Sequence, residues 1–254
     1  MIEIAKKVAI KAGRKVLFLR KKGLTFKNKE RLGDIVTQAD TTSEEIILTE
    51  LRKHFPTHNF ISEEIGKINN HSEYTWLVDP IDGTTPYSSG MPTFAISIGL
   101  VKEGQPILGV VNLPALDSLF WAERGKGAFL NGKKIKVSNK NELIKCVVGL
   151  DVPYVGARRE AIERLLLPLA DKVRYPTMLG CASVGGVYVA KGVLDAYLHS
   201  AHPWDYAAAF LIVTEAGGKV TDYNGKPIDW SKDRIDFFAS NSLIHNEILS
   251  LIKQ

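Results

Sequence analysis

Two aspartates that follow an apolar run are the clearest chemical signal in this sequence. Residues 76–85 read Trp-Leu-Val-Asp-Pro-Ile-Asp-Gly-Thr-Thr. The apolar start predicts a buried strand. Since Pro80 cannot continue a hydrogen-bonded ladder, we expect the chain to turn there and to project Asp79 and Asp82 from the strand end. On spacing alone, this segment is either a metal site or an aspartate-rich turn.

The residues that follow add a place for an anion. Gly83 permits close approach of the backbone to a ligand. If a helix or turn begins here, the amides of Gly83, Thr84 and Thr85 would point toward that ligand. One short segment therefore offers metal ligands and phosphate-binding amides together.

Further acidic residues lie at the ends of other predicted elements. Glu63 and Glu64 follow a short apolar strand, and Asp205 opens a helix. Taken alone, the glutamate pair is typical of a solvated loop and Asp205 of a helix N-cap. Together with Asp79 and Asp82 they would supply the hard oxygen ligands that Mg²⁺ prefers. A site with two or three such ions would acidify an attacking water, neutralise a phosphate and stabilise the leaving oxygen.

The elements that must position these residues alternate between helix and strand. Helical spacing of small and apolar residues over 5–19 predicts an amphipathic helix, and capping residue types at 40–43 predict a second helix that places Asp40 at or just before its N-terminus. Short apolar runs over 60–137 predict a sheet, with Asn131-Gly132 as a hairpin turn. Beyond these, we predict helices over 158–169, 183–191 and 205–216, the last ending at Gly217-Gly218, and strands over 194–198 and 237–239.

This alternation predicts an α/β protein built from two halves. Residues 1–140 would form an N-terminal α+β half that carries most of the metal ligands. Residues 141–254 would form a C-terminal α/β half that carries Asp205 and the loops on the substrate side. Because no Pro/Ser-rich linker separates the halves, we expect them to be tightly packed.

The composition excludes several classes of protein. With 254 residues and 45% hydrophobic residues the chain can bury a core, and no apolar run approaches the roughly 20 residues of a membrane-spanning helix. The N-terminus lacks the pattern of a secretory signal, so we expect a cytoplasmic protein without a membrane partner. Cys146 and Cys181 form no Cys-x-x-Cys pair, which predicts reduced thiols. The net charge of +5 is spread over scattered basic residues, which argues against a nucleic acid partner.

Four motifs resemble those of the inositol monophosphatase family and follow one another in the family's order, and the likeness extends over most of the chain. The motifs are Gly-Asp-Ile-Val-Thr-Gln-Ala-Asp at 33–40, Ile-Ser-Glu-Glu at 61–64, Asp-Pro-Ile-Asp-Gly-Thr-Thr at 79–85, and a segment at 204–218 that begins Trp-Asp-Tyr-Ala-Ala-Ala and ends Thr-Glu-Ala-Gly-Gly. The resemblance implies a layered αβαβα sandwich of the inositol monophosphatase and fructose-1,6-bisphosphatase type. It also implies a homodimer, sensitivity to lithium, and a small phosphorylated metabolite as substrate.

The resemblance assigns a metal centre and a catalytic pair. Two to three Mg²⁺ ions would be held by the carboxylates of Glu63, Asp79, Asp82 and Asp205. The carbonyl of Ile81 would complete one ion site. Asp40 and Thr84 would orient the attacking water and help to deprotonate it, so that it attacks phosphorus in line with the ester oxygen. No phosphoenzyme is expected.

The resemblance also assigns the substrate contacts. These are Gly83, Thr84 and Thr85 around the phosphate, with Gly180, Cys181 and Ala182 as the turn on the sugar side. Glu64 and Asp34 would lie behind the metal ligands and position them.

The part that recognises the rest of the substrate departs from the family pattern. Pro86-Tyr87 replaces an Asn-aromatic pair, and Cys181 stands where the family has a hydroxyl residue. Residues 198–203, Leu-His-Ser-Ala-His-Pro, lack the glutamate that binds a ring hydroxyl in inositol-selective members. Strict inositol selectivity therefore does not follow from the sequence.

We expect hydrolysis of a small phosphomonoester, first of all myo-inositol monophosphate. A fructose-1,6-bisphosphatase or a 3'(2'),5'-bisphosphate nucleotidase on the same metal core is the alternative, and a non-catalytic, metal-dependent regulatory protein is the alternative from another class. His199, His202 and Arg174 either contact the substrate or a second phosphate, or lie on the surface without such a role.

Overall fold

Helices and strands alternate along the chain of this computed structural model, in which residues 1–28, 35–153 and 156–253 are described. The α-helices are α1 Ile2–Lys22, α2 Gln38–His54, α3 Thr84–Ser88, α4 Arg158–Ala161, α5 Ala182–Ala190, α6 Pro203–Glu215 and α7 His245–Ile252. The strands are β1 Phe26–Asn28, β2 Ile35–Thr37, β3 Asn59–Ser62, β4 Gly66–Ile68, β5 Tyr74–Asp82, β6 Ala95–Lys102, β7 Gln105–Leu113, β8 Ser118–Glu123, β9 Ala128–Leu130, β10 Lys133–Ile135, β11 Val147–Leu150, β12 Tyr175–Thr177, β13 Ala196–Ala201, β14 Lys219–Thr221 and β15 Ile235–Ser240.

Two large sheets carry the fold. The first has eight strands in the order β10-β9-β8-β7-β6-β5-β3-β4, and only its β3–β5 pair is parallel. The second has five strands in the order β12-β11-β13-β15-β14, in which β11 runs parallel to both of its neighbours. Strands β1 and β2 form a small antiparallel pair of their own.

Three layers of helices alternate with the two sheets. Helices α1 and α2 pack on one face of the eight-stranded sheet, and α5 and α6 lie between the sheets. Ile248 and Leu249 of α7 join Val148 and Phe238 in the core on the far face of the five-stranded sheet. The predicted αβαβα sandwich is therefore confirmed.

Helix α6 ties the C-terminal part of the chain to the N-terminal sheet. A Cβ atom on Gly109 of β7 would lie 2.5 Å from the carbonyl oxygen of Ala208 in α6, so only glycine permits this approach. The contact shows that α6, which lies after residue 140, packs directly against the N-terminal sheet. The division into halves at residue 140 stays a prediction.

Most predicted elements are confirmed, with ends shifted by up to three residues. The hairpin turn has φ 48° at Asn131 and φ 79° at Gly132, as its sequence indicates. Gly217, at φ 87°, follows the end of α6, and the amide of Gly218 donates to the carbonyl of Val213 at 2.9 Å. Among the helices of the described ranges, none is long and apolar enough to cross a membrane.

Three local predictions were wrong. Strand β5 does not turn at Pro80 but continues to Asp82, because a shift in its register against β6 accommodates the residue without an amide hydrogen. Helix α2 begins at Gln38, so Asp40 is its third residue and does not precede it. The helix predicted over 158–169 is α-helical only to Ala161 and then widens to a π-helical turn over Ile162–Leu166, just before Pro168, which cannot donate to a helix ladder.

Candidate active site

A cavity of about 450 Å³ opens where β3, β5 and β13 end and where α3, α5 and α6 begin. Eleven of the residues predicted to form the site line it: Glu63, Asp79, Ile81, Asp82, Gly83, Thr84, Thr85, Gly180, Cys181, Ala182 and Asp205. Asp40 and Glu64 do not line this cavity, and Asp34 lies outside the described residues. The acidic side chains that are distant in sequence thus converge on one space.

Asp40 reaches the cavity through Thr84. The Thr84 Oγ1 atom lies 3.1 Å from Asp40 Oδ1 and 3.1 Å from the Ile81 carbonyl oxygen. The other oxygen of Asp40 accepts from the amide of Thr37 at 2.8 Å and from its hydroxyl at 2.6 Å, which forms a capping box at the start of α2. Burial raises the pKa of Asp40, and the hydrogen bonds from Thr37 oppose that rise.

Asp82 links β5 to the start of α5. Its carboxylate accepts hydrogen bonds from the amides of Ala182, at 3.2 Å, and Ser183. Burial raises the pKa of Asp82 despite these donors. The amide of Ala182 therefore donates to Asp82, and the substrate contact predicted for this residue stays a prediction.

Gly83 brings the start of α3 against the turn before α5. Its backbone is left-handed, with φ 83°, and a Cβ atom there would lie 3.0 Å from the Cβ of Cys181 and 3.1 Å from the carbonyl of Thr93. A side chain does not fit at this position. The amides at the start of α3 have no partner within the helix, as at any helix N-terminus, and Thr84 and Thr85 line the cavity.

Asp79 and Asp205 face one another at the inner end of the cavity. The Asp79 carboxylate accepts from the amide of Ile81 at 2.9 Å, and that of Asp205 accepts from the amide of His202 at 2.7 Å. The two carboxyl groups lie close enough for each to influence the pKa of the other. Burial raises the pKa of both well above the ordinary range, and the charge of Glu63 raises the pKa of Asp79 further.

This donor set fits a hard divalent cation. Four acidic residues in one largely buried cavity repel each other, and a bound cation would relieve that repulsion. Over residues 1–28, 35–153 and 156–253, no three acidic, histidine or cysteine side chains already form a closed ligand set. A cation binds deprotonated carboxylates, so its binding would oppose the rise in the pKa of Asp79 and Asp205.

Two buried carboxylates that the sequence analysis missed hold the loops around the site. Glu44 in α2 accepts from the hydroxyl of Ser62 and from the amides of Glu64 and Ile65, at 3.1 and 3.2 Å, and so fixes the loop that carries Glu63. No local pattern marks it, because it is one of several polar residues in a helix.

Asp151 plays the same part on the opposite side. It accepts from the amides of Leu179 and Gly180, both at 2.8 Å, and from the hydroxyl of Tyr197 at 2.6 Å. It therefore fixes the turn that contains Cys181. A third missed residue, Thr37, did have a signal, since a threonine three residues before Asp40 is the pattern of a capping box.

The exposed and half-buried part of the cavity lining, called its outer end here, includes basic and imidazole side chains. These are Arg158, His199, His202 and Arg234, whereas Arg174 is exposed elsewhere on the surface. The Nδ1 atom of His199 lies 2.9 Å from the carbonyl oxygen of Asp151, so Nδ1 carries the proton and Nε2 is an acceptor. Burial lowers the pKa of His199. The thiol of Cys181 is buried, and burial raises its pKa well above the ordinary range.

Comparisons with known proteins agree with this geometry. The sequence profile described as the inositol monophosphatase family matches residues 1–254. The fructose-1,6-bisphosphatase/inositol-1-monophosphatase of Thermotoga maritima is 40% identical over 223 residues, which cover 87% of this chain and 83% of that protein. The protein of the same description from Aquifex aeolicus is 37% identical over 257 residues, which cover 100% of this chain and 95% of that protein.

Among solved structures, the extragenic suppressor protein suhB from Bartonella henselae superposes with a TM-score of 0.92 at 34% identity, covering 99% of this chain and 98% of that chain. Sequence and fold thus match over the whole length, including the segments that line the cavity. The chain therefore belongs to the inositol monophosphatase family and is a phosphatase that hydrolyses phosphoric monoesters.

Proposed function

We propose that this phosphatase hydrolyses a small phosphomonoester, first of all myo-inositol 1-phosphate, with the help of Mg²⁺. The observation that carries the proposal is that four acidic residues and Thr84 line one cavity, and that Thr84 is hydrogen-bonded to Asp40 behind it. A protein that only bound metal would have no chemical use for that pair.

The metal ligands would be Glu63, Asp79, Asp82 and Asp205, with the Ile81 carbonyl, and they would hold two to three ions. A bound Mg²⁺ lowers the pKa of water and neutralises the charge of phosphate oxygens. The chain's own contribution is a set of carboxylates whose hydrogen bonds to backbone amides keep them in place before the ion arrives.

The catalytic pair would take the proton of the attacking water. The Thr84 hydroxyl donates to Asp40 Oδ1 and keeps its lone pairs for a hydrogen bond from water. When the water attacks phosphorus, its proton passes to the Thr84 oxygen while the Thr84 proton passes to Asp40. Because burial raises the pKa of Asp40, this carboxylate is a better proton acceptor than an exposed aspartate.

The phosphate would lie against the start of α3. Gly83 lets the start of α3 pack against the turn that contains Cys181, and the amides of Gly83, Thr84 and Thr85 would donate to the phosphate oxygens. Held this way, the phosphorus would face the water on one side and the ester oxygen on the other, which is the in-line geometry of phosphoryl transfer.

A second candidate substrate is fructose 1,6-bisphosphate. Two relatives that match at 40% and 37% identity bear a description that names both activities. The same phosphate site would serve either compound, since both are phosphate esters of small polyhydroxylated rings or chains. Assembly as a homodimer and inhibition by lithium belong to the same proposal.

A panel of phosphomonoesters tests the proposal. We expect phosphate release from myo-inositol 1-phosphate with Mg²⁺, none in a chelator, and almost none in Asp40→Asn protein. If the protein binds Mg²⁺ but releases phosphate from no compound of the panel, it is a regulatory protein and the proposed function is wrong. Turnover of a 3',5'-bisphosphate nucleotide alone would reject the sugar and polyol substrates.

A further inference from the structure

The net positive charge of the chain is concentrated on helix α1. This helix contains eight basic residues and one acidic residue, a net charge of +7, whereas the whole chain has a net charge of +5. The rest of the chain therefore carries a net charge of −2, because its acidic residues slightly outnumber its basic ones. An anionic partner would be attracted to α1 more strongly than to the rest of the protein.

Exposed side chains of α1 form a straight line along the helix. Those at positions 7, 11, 14, 18 and 21 recur every three or four residues, which places them on one side of a helix. We call them the α1 stripe, and they are Lys7, Lys11, Arg14, Phe18 and Lys21. At 1.5 Å per residue the stripe is about 21 Å long. The opposite side of α1 is buried against α2 and the eight-stranded sheet, so the stripe faces away from the core.

Most of the charge on this side of α1 is not neutralised by a carboxylate. Two lysines of the helix are paired, Lys6 with Glu3 and Lys11 with Glu50 of α2, both at 2.8 Å. Within the described ranges, the ion pairs closer than 4.0 Å do not include the other exposed basic residues of the helix, which are Lys7, Arg14, Lys21 and Lys22. These four charges remain available to an external anionic surface.

Phe18 places an apolar group within the basic stripe. Its side chain is 48% exposed, and the Nζ atoms of Lys22 and Lys15 lie 4.7 and 5.5 Å from the centre of its ring. The aliphatic stems of such lysines lie along an apolar group while the ammonium groups stay in water. At a lipid surface the ring could enter the boundary between headgroups and acyl chains, with the ammonium groups at the phosphates.

The same features argue against the other anionic or symmetric partners. Single-stranded nucleic acid stacks its bases on open aromatic faces, whereas cations already lie over the ring of Phe18. A duplex admits a helix that enters its groove, but α1 lies side by side with α2 in one layer. A second copy of this chain would bring a face of the same charge, which repels. A broad, flat anionic surface fits best.

We propose that the α1 stripe docks the protein on an anionic lipid bilayer, with the basic groups at the headgroup phosphates and Phe18 inserted among them. We expected no membrane partner because the sequence has no membrane-spanning run, but a peripheral contact needs none. No residue of α1 lines the catalytic cavity, so this proposal does not depend on the proposed function.

The test is cosedimentation of the full chain with vesicles of phosphatidylcholine alone or mixed with an equal amount of phosphatidylserine. We expect binding only to the anionic vesicles, and binding should weaken as ionic strength rises, because exposed charges are screened. The charge variant carries Lys7→Gln, Arg14→Gln and Lys21→Gln. Its partition coefficient should fall about a hundredfold, which is about fivefold for each basic residue removed from an anionic surface.

A matched control removes the same charge elsewhere. Lys133→Gln, Lys172→Gln and Lys232→Gln change three exposed lysines outside α1 and give the same net charge. This protein should bind the anionic vesicles within about twofold of wild type, since the attraction is local to the stripe. Equal losses in the two triple variants would show that net charge alone matters and would overturn the proposal.

A substitution of Phe18 tests the insertion of the ring. Phe18→Ala should weaken binding about fivefold, because a partly buried aromatic ring is lost. Its binding should keep the salt dependence of wild type, whereas the charge variant should show a shallower one. Unchanged binding by Phe18→Ala would reject the insertion of the ring.

Nucleic acid and activity measurements complete the test. Absence of binding to the anionic vesicles at low salt would overturn the proposal, and so would stripe-dependent binding to RNA or DNA at a salt concentration that abolishes vesicle binding. Phosphate release from a soluble monoester should be the same in all these variants, which shows that they are folded. A protein that binds the vesicles through the stripe but hydrolyses no monoester would reject only the proposed function.

Discussion

The two ends of the cavity are built differently. At the inner end, the carboxylates of Asp79, Asp82 and Asp205 are buried, and each accepts a hydrogen bond from at least one backbone amide. At the outer end, Arg158 and Arg234 are exposed, and each is tied to the protein by a single described hydrogen bond to a carbonyl. The inner end is therefore rigid, and the outer end can adjust.

This difference separates chemistry from selectivity. Groups that must meet a metal ion and a reacting phosphate have to be in place beforehand, because small displacements strongly reduce rates. Groups that only contact the rest of the substrate tolerate more freedom. Substitutions at the inner end should therefore abolish the reaction, whereas those at the outer end should change which substrate is preferred.

The largest effect should come from the metal ligands. Asp205→Asn keeps the shape and the acceptor for the His202 amide but removes a negative charge from the set. We expect kcat/KM to fall by about 10³-fold or more, since a misplaced or lost ion removes several kcal/mol of transition-state stabilisation. Activity against Mg²⁺ concentration measures this. Asp233→Asn, an exposed aspartate near the cavity mouth, is the control and should retain activity; a similar loss in both would contradict the assignment.

The next effect should come from the catalytic pair. Thr84→Ala removes the hydroxyl that lies 3.1 Å from Asp40. We expect kcat to fall about 10²-fold, as for loss of a general base, while Mg²⁺ still raises the melting temperature as in wild type. The matched control is Thr41→Ala, one residue after Asp40 and exposed. A Thr84→Ala protein with wild-type kcat would show that the pair has no part in proton transfer.

Much of the inner end was predictable because several of its residues are close together in sequence. Asp79, Ile81, Asp82, Gly83 and Thr84 lie within six positions of β5 and α3, so one motif fixes their mutual geometry. The course of β5 was not predictable from the residue type at position 80, because the neighbouring strand β6 decides whether an irregular register is tolerated.

The outer end had no comparable signal. Arg158 and Arg234 come from separate segments that only the assembled sheets bring to one cavity, and the sequence directed attention to Arg174, which lies outside it. Glu44 and Asp151 were missed for the same reason, since the amides that donate hydrogen bonds to them lie 20 or more residues away in the chain. A local motif can be recognised in the sequence, whereas the residues that support it come close to it only through tertiary packing.

A supporting residue should have a smaller effect than a ligand. Glu44→Gln weakens the hold on the loop that carries Glu63, because a charged acceptor of three donors becomes a neutral amide. We expect the Mg²⁺ concentration for half-maximal activity to rise about tenfold. The value of kcat at saturating Mg²⁺ should stay within about threefold of wild type. Glu45→Gln, its exposed neighbour, is the control, and an equal shift there would contradict a positioning role.

The smallest effect concerns the stability of the inner end without metal. Since burial and the charges of Glu63, Asp82 and Asp205 raise the pKa of Asp79, the folded state binds more protons than the unfolded state from about pH 4, the ordinary pKa, up to the raised pKa. The contribution of this group to stability is complete below the ordinary pKa and is lost as the pH rises through the raised one.

The Asp79→Asn substitution should remove this loss of stability at high pH. In a chelator at pH 8 we expect its free energy of unfolding to exceed that of wild type by about 1.4 kcal/mol for each unit by which the pKa is raised, and the difference should disappear near pH 4. With Mg²⁺ at pH 8 the order should reverse, because the ion stabilises only the full set of carboxylates. Urea unfolding at both pH values measures the differences. If Asp79→Asn is the less stable protein in a chelator at pH 8, the inner end is not held under repulsion and does not require a cation.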